Sequence, residues 1–446
     1  MLLEFKVSNY RSIGEEQVIS LIPAPKQKDH LPNILTKGRH QALNAISLYG
    51  PNGGGKSNLL KAMSLLDRLV HISARTSSTT RLPYDPFLLR EGWDDKPTGF
   101  EILFVIEENR YRYGLEFTAT EIKREWLFRK STGREVSLFE REGETIEVSA
   151  GYRGSKKIID AAVEATRMNA LFLSTCDMLN VEEAKKIMQW FKHLNMLDGL
   201  NIDEDIRTVS LFESKEYKEK IRQYLTSLGL GLFDVQITTK DFEESTLPNN
   251  VPENLRIQLM EKLKDSKSYQ VYALHKIYDT AGKPTEKLHS WDFYERESAG
   301  TQKALKLSGP VLWALANGGI LIIDEIEAAM HPIMTLNTID LFLNKESNPN
   351  SAQLIFATHD TNLLSYSNLR RDQICFAEKN KWESTEVYAL SDFVYFGEKN
   401  GEFKSEKERP DTDKEKRYFE GRYGAIPALG NFQKFTRDIR WPKEEK

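Results

Sequence analysis

Three observations in the sequence predict an α/β fold. Residues 50–57 read Gly-Pro-Asn-Gly-Gly-Gly-Lys-Ser, a G-x-x-x-x-G-K-[ST] stretch placed between a short apolar run and a helical pattern. Residues 320–323 are four consecutive large aliphatics, as in a parallel strand that is buried on both faces. Residues 99–148 alternate between apolar and polar side chains, which is typical of antiparallel strands. The chain is therefore predicted to combine parallel strands, helices and an antiparallel meander.

The glycine-rich stretch predicts a phosphate-binding loop. Residues 45–49 form the strand before it, and apolar residues at helical spacing follow from Asn58 to Val70. Backbone N–H groups of such a loop surround the β-phosphate, Lys56 reaches the β- and γ-oxygens, and Ser57 offers its hydroxyl to Mg²⁺. The helix also directs its positive N-terminal end at the anion. The residues predicted to hold a nucleoside triphosphate are Gly50, Asn52, Gly53, Gly54, Gly55, Lys56, Ser57 and Asn58.

Composition, net charge, cysteine spacing and the lengths of the apolar runs narrow the classes of protein to which the chain can belong. The 446 residues are 40% hydrophobic and 29% charged, which is typical of a globular protein with two or three domains. The net charge of −4 does not indicate nucleic-acid binding, although a local basic face stays possible. Two distant cysteines, Cys176 and Cys375, fit no metal or redox spacing. With no signal peptide and no apolar run near 18 residues, we expect a cytoplasmic protein that does not span a membrane.

A second set of candidate catalytic residues follows the aliphatic run. Asp324 and Glu325 stand at the predicted carboxyl end of the strand, where α/β sheets place their chemistry. Asp324 is predicted to bind Mg²⁺, and Glu325 to orient and deprotonate the attacking water. A buried strand that merely ends in surface acids is the alternative, and the phosphate loop in the same chain makes the catalytic interpretation the stronger one.

Two further positions are predicted to contact phosphate. His359 follows the apolar run 355–357, where its side chain could reach a γ-phosphate. Ser298 and Gly300 open a helix that runs from Ala304 to Leu315, and such a start is either an anion-binding cap or a stabilising cap only. Other helices are predicted at 181–197, 213–228 and 253–264, with strands returning at 269–278.

The order of these motifs resembles the ABC/SMC/RecF class of ATPases. Residues 5–12 are similar to the F-x-N-[FY]-[RK]-S opening of that class, and residues 324–332 to its D-E-x-E-x-x-L-H-P stretch. The chain looks most like the stand-alone ATPases of bacterial anti-phage loci, the RloA/AbiL-like group, with PtuA, AriA and OLD-type ATPase heads as relatives. Their Glu-Ser-x-Gly-Thr stretch matches residues 297–301, and their C-terminal motif resembles residues 417–427.

This resemblance implies an ABC-type ATPase that uses ATP and Mg²⁺. The implied organisation is an ATPase lobe I at 1–165, a helical insertion at 166–268 and a lobe II at 269–446. Two chains would sandwich two nucleotides, and Ser298 and Gly300 of one chain would cap the γ-phosphate held by the other. His359 would be the switch. The resemblance also implies a sensor or scaffold in phage defence that controls a toxic effector, such as a nuclease, from a neighbouring gene.

Two departures from the class pattern bear on activity. The Leu-Ser-Gly-Gly signature is replaced by Glu-Ser-Ala-Gly at 297–300, and no glutamine lies between Ser57 and Gln189 to act as the Q-loop residue. Either another group, with residues 85–90 as candidates, takes the place of this glutamine, or hydrolysis is slow.

Three alternatives stay open at this stage. They are a scaffold that binds nucleotide without turnover, a nuclease like the OLD proteins, and a RecF-like DNA-repair ATPase. The nuclease is disfavoured because the acids after His359 occur in a mixed-charge run without a strand-borne D-x-D pair. The C-terminal box, Tyr418 to Pro427, is interpreted either as packing of the tail onto lobe II or as a docking surface for a partner.

Overall fold

The computed structural model describes residues 1–198, 206–241, 252–253, 255–257, 260, 267–366, 368–399, 402–407, 409 and 412–427. The chain divides into two units. Residues 2–191 and 356–446 form one, here named the phosphate-loop unit, and residues 192–355 form the other, here named the acidic-strand unit. Most of the predicted helix at 253–264 lies outside the described residues.

The antiparallel meander of the phosphate-loop unit confirms the prediction from alternating residues. Among the described residues, seven strands form this sheet in the order β10-β9-β8-β7-β6-β1-β2. Its inner face is rich in aromatic residues, because Phe100, Phe104, Tyr111 and Tyr113 are buried at even spacings along their strands, where side chains share one face. The strands are β1 Leu2–Ser8, β2 Gln17–Ser20, β6 Thr98–Ile106, β7 Asn109–Phe117, β8 Ile122–Lys130, β9 Val136–Glu142 and β10 Thr145–Val148.

A parallel strand pair of the same unit supports the phosphate loop. Strand β5, Ala45–Tyr49, is buried at all five positions and leads through the loop into helix α1, Lys56–Ile72. Strand β17, Ile374–Lys379, runs parallel to β5, and β18, Thr385–Ala389, runs antiparallel to β17. A short hairpin, β3 Ile34–Lys37 with β4 His40–Leu43, precedes β5. The strand–loop–helix prediction is therefore confirmed.

The remaining elements of the phosphate-loop unit are short helices and one hairpin. The helices are α2 Lys156–Ala165, α3 Phe172–Met178, α4 Glu182–Phe191, α10 Asn362–Tyr366 and α11 Lys414–Phe419. The hairpin pairs β19 Val394–Lys399 with β20 Glu402–Lys407.

Cys176 and Cys375 are free buried thiols, and burial raises the pKa of each to about 12.

The acidic-strand unit contains a parallel pair and a separate antiparallel sheet. Strand β11, Leu194–Asp198, runs parallel to β15, Ile320–Asp324. Three of the described strands pair antiparallel as β12-β13-β14, with bounds Asp234–Asp241, Lys267–Tyr278 and Pro284–Asp292. The helices are α5 Ile206–Phe212, α6 Lys215–Ser227, α7 Phe293–Arg296, α8 Ala299–Asn317 and α9 Pro332–Leu343. Strand β16, Gln353–Ala357, crosses the boundary between the units.

One predicted helix is wrong in part. The helix predicted at 181–197 ends at Phe191, and residues 194–198 instead form β11 beside the strand of Asp324. Pairing with β15 satisfies the backbone of this segment, and such tertiary pairing overrides local helical periodicity. The interval 166–268 thus contains strands β11 and β12 as well as helices. The three-part division of the chain stays a prediction.

The predicted fold class is otherwise confirmed. The chain is an α/β protein with a strand, phosphate loop and helix in succession, and with an antiparallel meander. Within the described residues, no helix has both the length and the apolar character needed to cross a membrane.

Candidate functional site

The phosphate loop is shaped by close packing against β17. A Cβ atom on Gly54 would lie 2.6 Å from the carbonyl oxygen of Ala377, so only glycine fits there without movement. Gly55 has a φ of 104°, a left-handed value that favours glycine at the start of α1. Asn52 and Gly53 are exposed at the tip of the loop. The backbone of the loop therefore turns tightly, and the tip of the loop is accessible to an anion.

The ammonium group of Lys56 lies within this loop. Lys56 is only 5% exposed, and its Nζ donates hydrogen bonds to the carbonyl oxygens of Gly50 at 2.7 Å and Pro51 at 3.2 Å. The positive charge is thereby held at the loop where the sequence predicted a triphosphate. Ser57, the next residue in α1, is half-buried.

Asn58 connects the loop to the N-terminal segment. Its Nδ2 donates to Ser12 Oγ at 2.8 Å, and Ser12 Oγ lies 2.9 Å from Thr385 Oγ1. The side chain of Arg11, the residue before Ser12, is also held in place, because its Nε donates a hydrogen bond to Asp85 Oδ2 at 2.9 Å. Asp85 was one candidate to replace the missing Q-loop glutamine, and its carboxylate is engaged by Arg11. What replaces that glutamine stays a prediction.

His359 lines the same cavity as the phosphate loop. The cavity has a volume of about 970 Å³ and is bordered by the loop from Gly50 to Gly54 and by the exposed ring of His359. The amide of Thr358 donates to the carbonyl of Leu48 at 3.1 Å, which holds the end of β16 beside β5. The structure therefore brings His359 together with the loop, as its position after an apolar strand suggested.

The C-terminal box completes another side of this cavity, which the sequence did not predict. Tyr418, Phe419, Ile426 and Pro427 all line it. The Tyr418 ring stacks on Phe376 of β17 with centroids 5.8 Å apart. The box thus belongs to the phosphate-loop unit, whereas the prediction placed it with lobe II.

The carboxylate of Glu378 on β17 binds both the box and the neighbouring strand β18. Glu378 accepts from the amide of Ala425 at 2.6 Å and from Tyr388 Oη at 2.8 Å. Tyr423 is fully buried, whereas Phe419 is 68% exposed. The density of aromatic residues in the box was the available signal, but an aromatic cluster does not by itself specify which surface it covers.

Asp324 and Glu325 lie where predicted, at the carboxyl end of β15. Asp324 is half-buried, and its Oδ1 is buried without a hydrogen-bond partner among the described residues. An acceptor in that state suits a hard cation such as Mg²⁺, which takes oxygen ligands. No group of three acidic, histidine or cysteine side chains that could hold a metal occurs in the described part of the chain.

The backbone at Glu325 is strained. Its φ is 50°, an unusual value for a residue with a side chain, and such strain is concentrated at functional sites. The turn is fastened to helix α8, because Lys303 Nζ donates to the carbonyl oxygens of Glu325 at 3.1 Å and Ile326 at 3.0 Å. Lys303 is a positioning residue that the sequence did not suggest.

Ser298 and Gly300 form the start of α8, in the acidic-strand unit. Ser298 Oγ accepts from the amide of Thr301 at 3.1 Å, so in this structure it caps its own helix. Gly300 is required by space, since a Cβ would lie 2.6 Å from the carbonyl oxygen of Ala329 in the turn after β15. Ser298 itself is exposed. Capping of a partner's phosphate stays a prediction.

Comparison with known proteins assigns the family. A family described as "AAA domain, putative AbiEii toxin, Type IV TA system" matches residues 46–152 and 218–365, more than half of the chain. The protein belongs to this AAA-domain family. The matched residues include the phosphate loop, Ser298, Asp324, Glu325 and His359. In this AAA-domain protein the C-terminal box lies beyond the match.

Solved structures share low identity with this AAA-domain protein. An SMC head domain from Thermotoga maritima is 12% identical, with a TM-score of 0.39 over 87% of this chain and 98% of that chain. The recombination mediator protein RecF with ATP is 14% identical, with a TM-score of 0.29 over 81% of this chain and 94% of that chain. No curated protein matches the sequence.

Proposed function

We propose that the protein is an ABC-type ATPase that binds ATP with Mg²⁺, hydrolyses it slowly and dimerises head to head. The phosphate loop carries this proposal, because a buried lysine held in a glycine loop before a helix serves few purposes besides binding a nucleoside triphosphate. Membership of an AAA-domain family supports it.

Each predicted residue then has a chemical role. The loop from Gly50 to Gly55 donates backbone N–H groups to the phosphates, and Lys56 turns its ammonium group from the loop carbonyls towards them. Ser57 and Asp324 would hold Mg²⁺, which when bound neutralises charge on the β- and γ-phosphates. Glu325 orients and deprotonates the attacking water, and His359 contacts the γ-phosphate.

The dimer proposal assigns Ser298 and Gly300 to the nucleotide of the partner chain. The exposed residue Ser298 and the positive N-terminal end of the 19-residue helix α8 suit a phosphate anion. ATP would close the dimer and hydrolysis would release it, which is a coupling between nucleotide state and association. The missing Q-loop glutamine favours slow turnover, and slow turnover suits a switch.

The cellular role we propose is control of a toxic effector in phage defence. The resemblance to anti-phage ATPases and a family description that refers to a toxin–antitoxin system both support it. Purification from the native locus with a tagged chain tests this role. Recovery of a toxic nuclease or another toxin from the neighbouring gene is expected, and recovery of the chain alone would count against effector control.

Composite sites are tested by mixing two inactive variants. Lys56→Ala removes the phosphate-loop cation, and Ser298→Arg puts bulk and charge where the partner's γ-phosphate would lie. Each variant alone should be inactive, while a mixture should regain activity at one working site per heterodimer, because one phosphate loop then meets one intact Ser298. No recovery in the mixture, with both variants folded by their melting temperatures, would show that the sites are not shared between chains.

A further inference from the structure

Glu297, which takes the place of the leucine in the Leu-Ser-Gly-Gly signature, is anchored to the β13–β14 hairpin. Its Oε1 accepts hydrogen bonds from Trp291 Nε1 at 2.8 Å and from His275 Nε2 at 2.9 Å. The Glu297 side chain is only 9% exposed. A buried carboxylate that lacks its hydrogen-bond donors is energetically costly. These two contacts therefore fix the position of the Glu297 side chain.

The two donors are themselves held in place. The imidazole of His275 stacks on the indole of Trp291 with centroids 4.1 Å apart and an angle of 28°. The Arg296 guanidinium lies 5.9 Å from the centroid of the same indole. His275 is on β13 and Trp291 on β14, so both strands of the hairpin contribute.

The backbone of Glu297 joins the hairpin to the start of helix α8. Its amide donates to the carbonyl of Phe293 at 3.0 Å, which closes helix α7. Its carbonyl accepts from Gln302 Nε2, one turn into α8, at 2.9 Å. Ser298 is the next residue and caps α8. The position of Ser298 is thus set on one side by the hairpin and on the other by α8.

We infer that Glu297 is a positioning residue that presents Ser298 to the partner's nucleotide and couples it to the β13–β14 hairpin. This inference rests on the proposed composite site. It also accounts for the departure from the usual signature, because leucine at 297 would leave the Trp291 N–H and the His275 N–H without this acceptor. A movement of the hairpin would then reach Ser298 directly.

The decisive variants are Glu297→Leu, which restores the usual signature residue, and Glu297→Gln, which keeps an acceptor oxygen. The dissociation constant of the ATP-bound dimer is measured by sedimentation, and ATP affinity by fluorescent-nucleotide titration of dilute monomer. Glu297→Leu should weaken the dimer by about tenfold or more, or about 1.4 kcal/mol, with unchanged ATP affinity of the monomer. Glu297→Gln should restore most of the association. If Glu297 contributes only to stability, Glu297→Leu should lower the melting temperature without weakening the dimer selectively over ATP binding by the monomer.

Two other variants keep the test valid if Glu297→Leu folds poorly. Trp291→Phe retains an aromatic ring and removes only the indole donor, so it should weaken the dimer in the same direction. His289→Gln is the matched control, since His289 lies on the same hairpin at 5.7 Å from the Trp291 ring and makes no bond to Glu297 among those described. Its dimer should be as strong as the wild type.

Wild-type dimerisation by both Glu297→Leu and Trp291→Phe would overturn the inference, provided that Ser298→Arg fails to dimerise. If Ser298→Arg also dimerises normally, the composite site itself is wrong and the positioning role falls with it. The two failures are therefore distinct.

Discussion

The ammonium group of Lys303 donates a hydrogen bond to the backbone carbonyl of Glu325 at 3.1 Å. Lys303 lies in the second turn of α8, after Ser298, and is 5% exposed. The same Nζ also reaches the carbonyl of Ile326 at 3.0 Å. The proposed catalytic base and the proposed signature helix are therefore joined through a buried cation, and a shift of one displaces the other.

Lys303→Met should reduce turnover more than nucleotide affinity. Methionine fills similar space but cannot donate to the two carbonyl groups. The carbonyl of Glu325 still accepts from the amide of Ala328 at 3.1 Å, whereas that of Ile326 loses its donor, at a cost of about 1–3 kcal/mol for a buried group left unsatisfied. The turn that presents Glu325 should then lose its fixed geometry. Steady-state phosphate release and ATP titration measure the two effects. Lys306→Met, on the same helix but partly exposed, is the control. Equal activity in both variants would remove Lys303 from the site.

Lys56→Ala should lower ATP affinity by about tenfold or more, which corresponds to about 1.4 kcal/mol. The change removes the cation that lies 2.7 Å from the carbonyl oxygen of Gly50. Equilibrium titration with a fluorescent ATP analogue gives the dissociation constant. Lys61→Ala, an exposed lysine of the same helix, should bind as the wild type does. Wild-type affinity in Lys56→Ala would contradict the phosphate-loop assignment.

Glu325→Gln should bind ATP normally and fail to hydrolyse it. An amide keeps the shape of the side chain but cannot accept the proton of the attacking water. The ATP-bound dimer should therefore accumulate, which size-exclusion chromatography with light scattering can detect. Glu346→Gln, at an exposed carboxylate outside the site, is the control. If Glu325→Gln releases phosphate at the wild-type rate, another group is the base.

Substitutions at buried and exposed positions of the C-terminal box should differ in their effect on stability. Tyr423 is fully buried, so Tyr423→Ala should destabilise the protein by about 3–5 kcal/mol, as for other buried aromatics. Arg422 is paired with Glu420 on the surface, and Arg422→Ala should change stability by about 0.5 kcal/mol or less. Thermal unfolding of the two single variants measures this difference.

The single variants also test the docking interpretation of the box. Loss of a co-purifying partner in Arg422→Ala, at wild-type stability, would support docking. Partner loss only in Tyr423→Ala would mean that the box is structural.

Local signals in the sequence determined the phosphate loop, the antiparallel meander and the position of Asp324 at the end of a buried strand. The reason is physical. Gly55 has a left-handed φ that favours glycine at the start of α1, and alternating side chains follow directly from strand geometry. Each of these features depends on residues that are near each other in the chain, and so it can be predicted without knowledge of the tertiary structure.

Only the tertiary structure decided the features that join distant segments. Residues 194–197 belong to the predicted helix and yet lie in strand β11, because β15 is available as a parallel partner. Lys303 and Glu297 are ordinary residues in the sequence, and they acquire roles from a turn and a hairpin that meet helix α8. The C-terminal box reached the phosphate-loop cavity through packing on β17. Such contacts depend on which surfaces remain exposed after the strands have paired, and local periodicity carries no information about that.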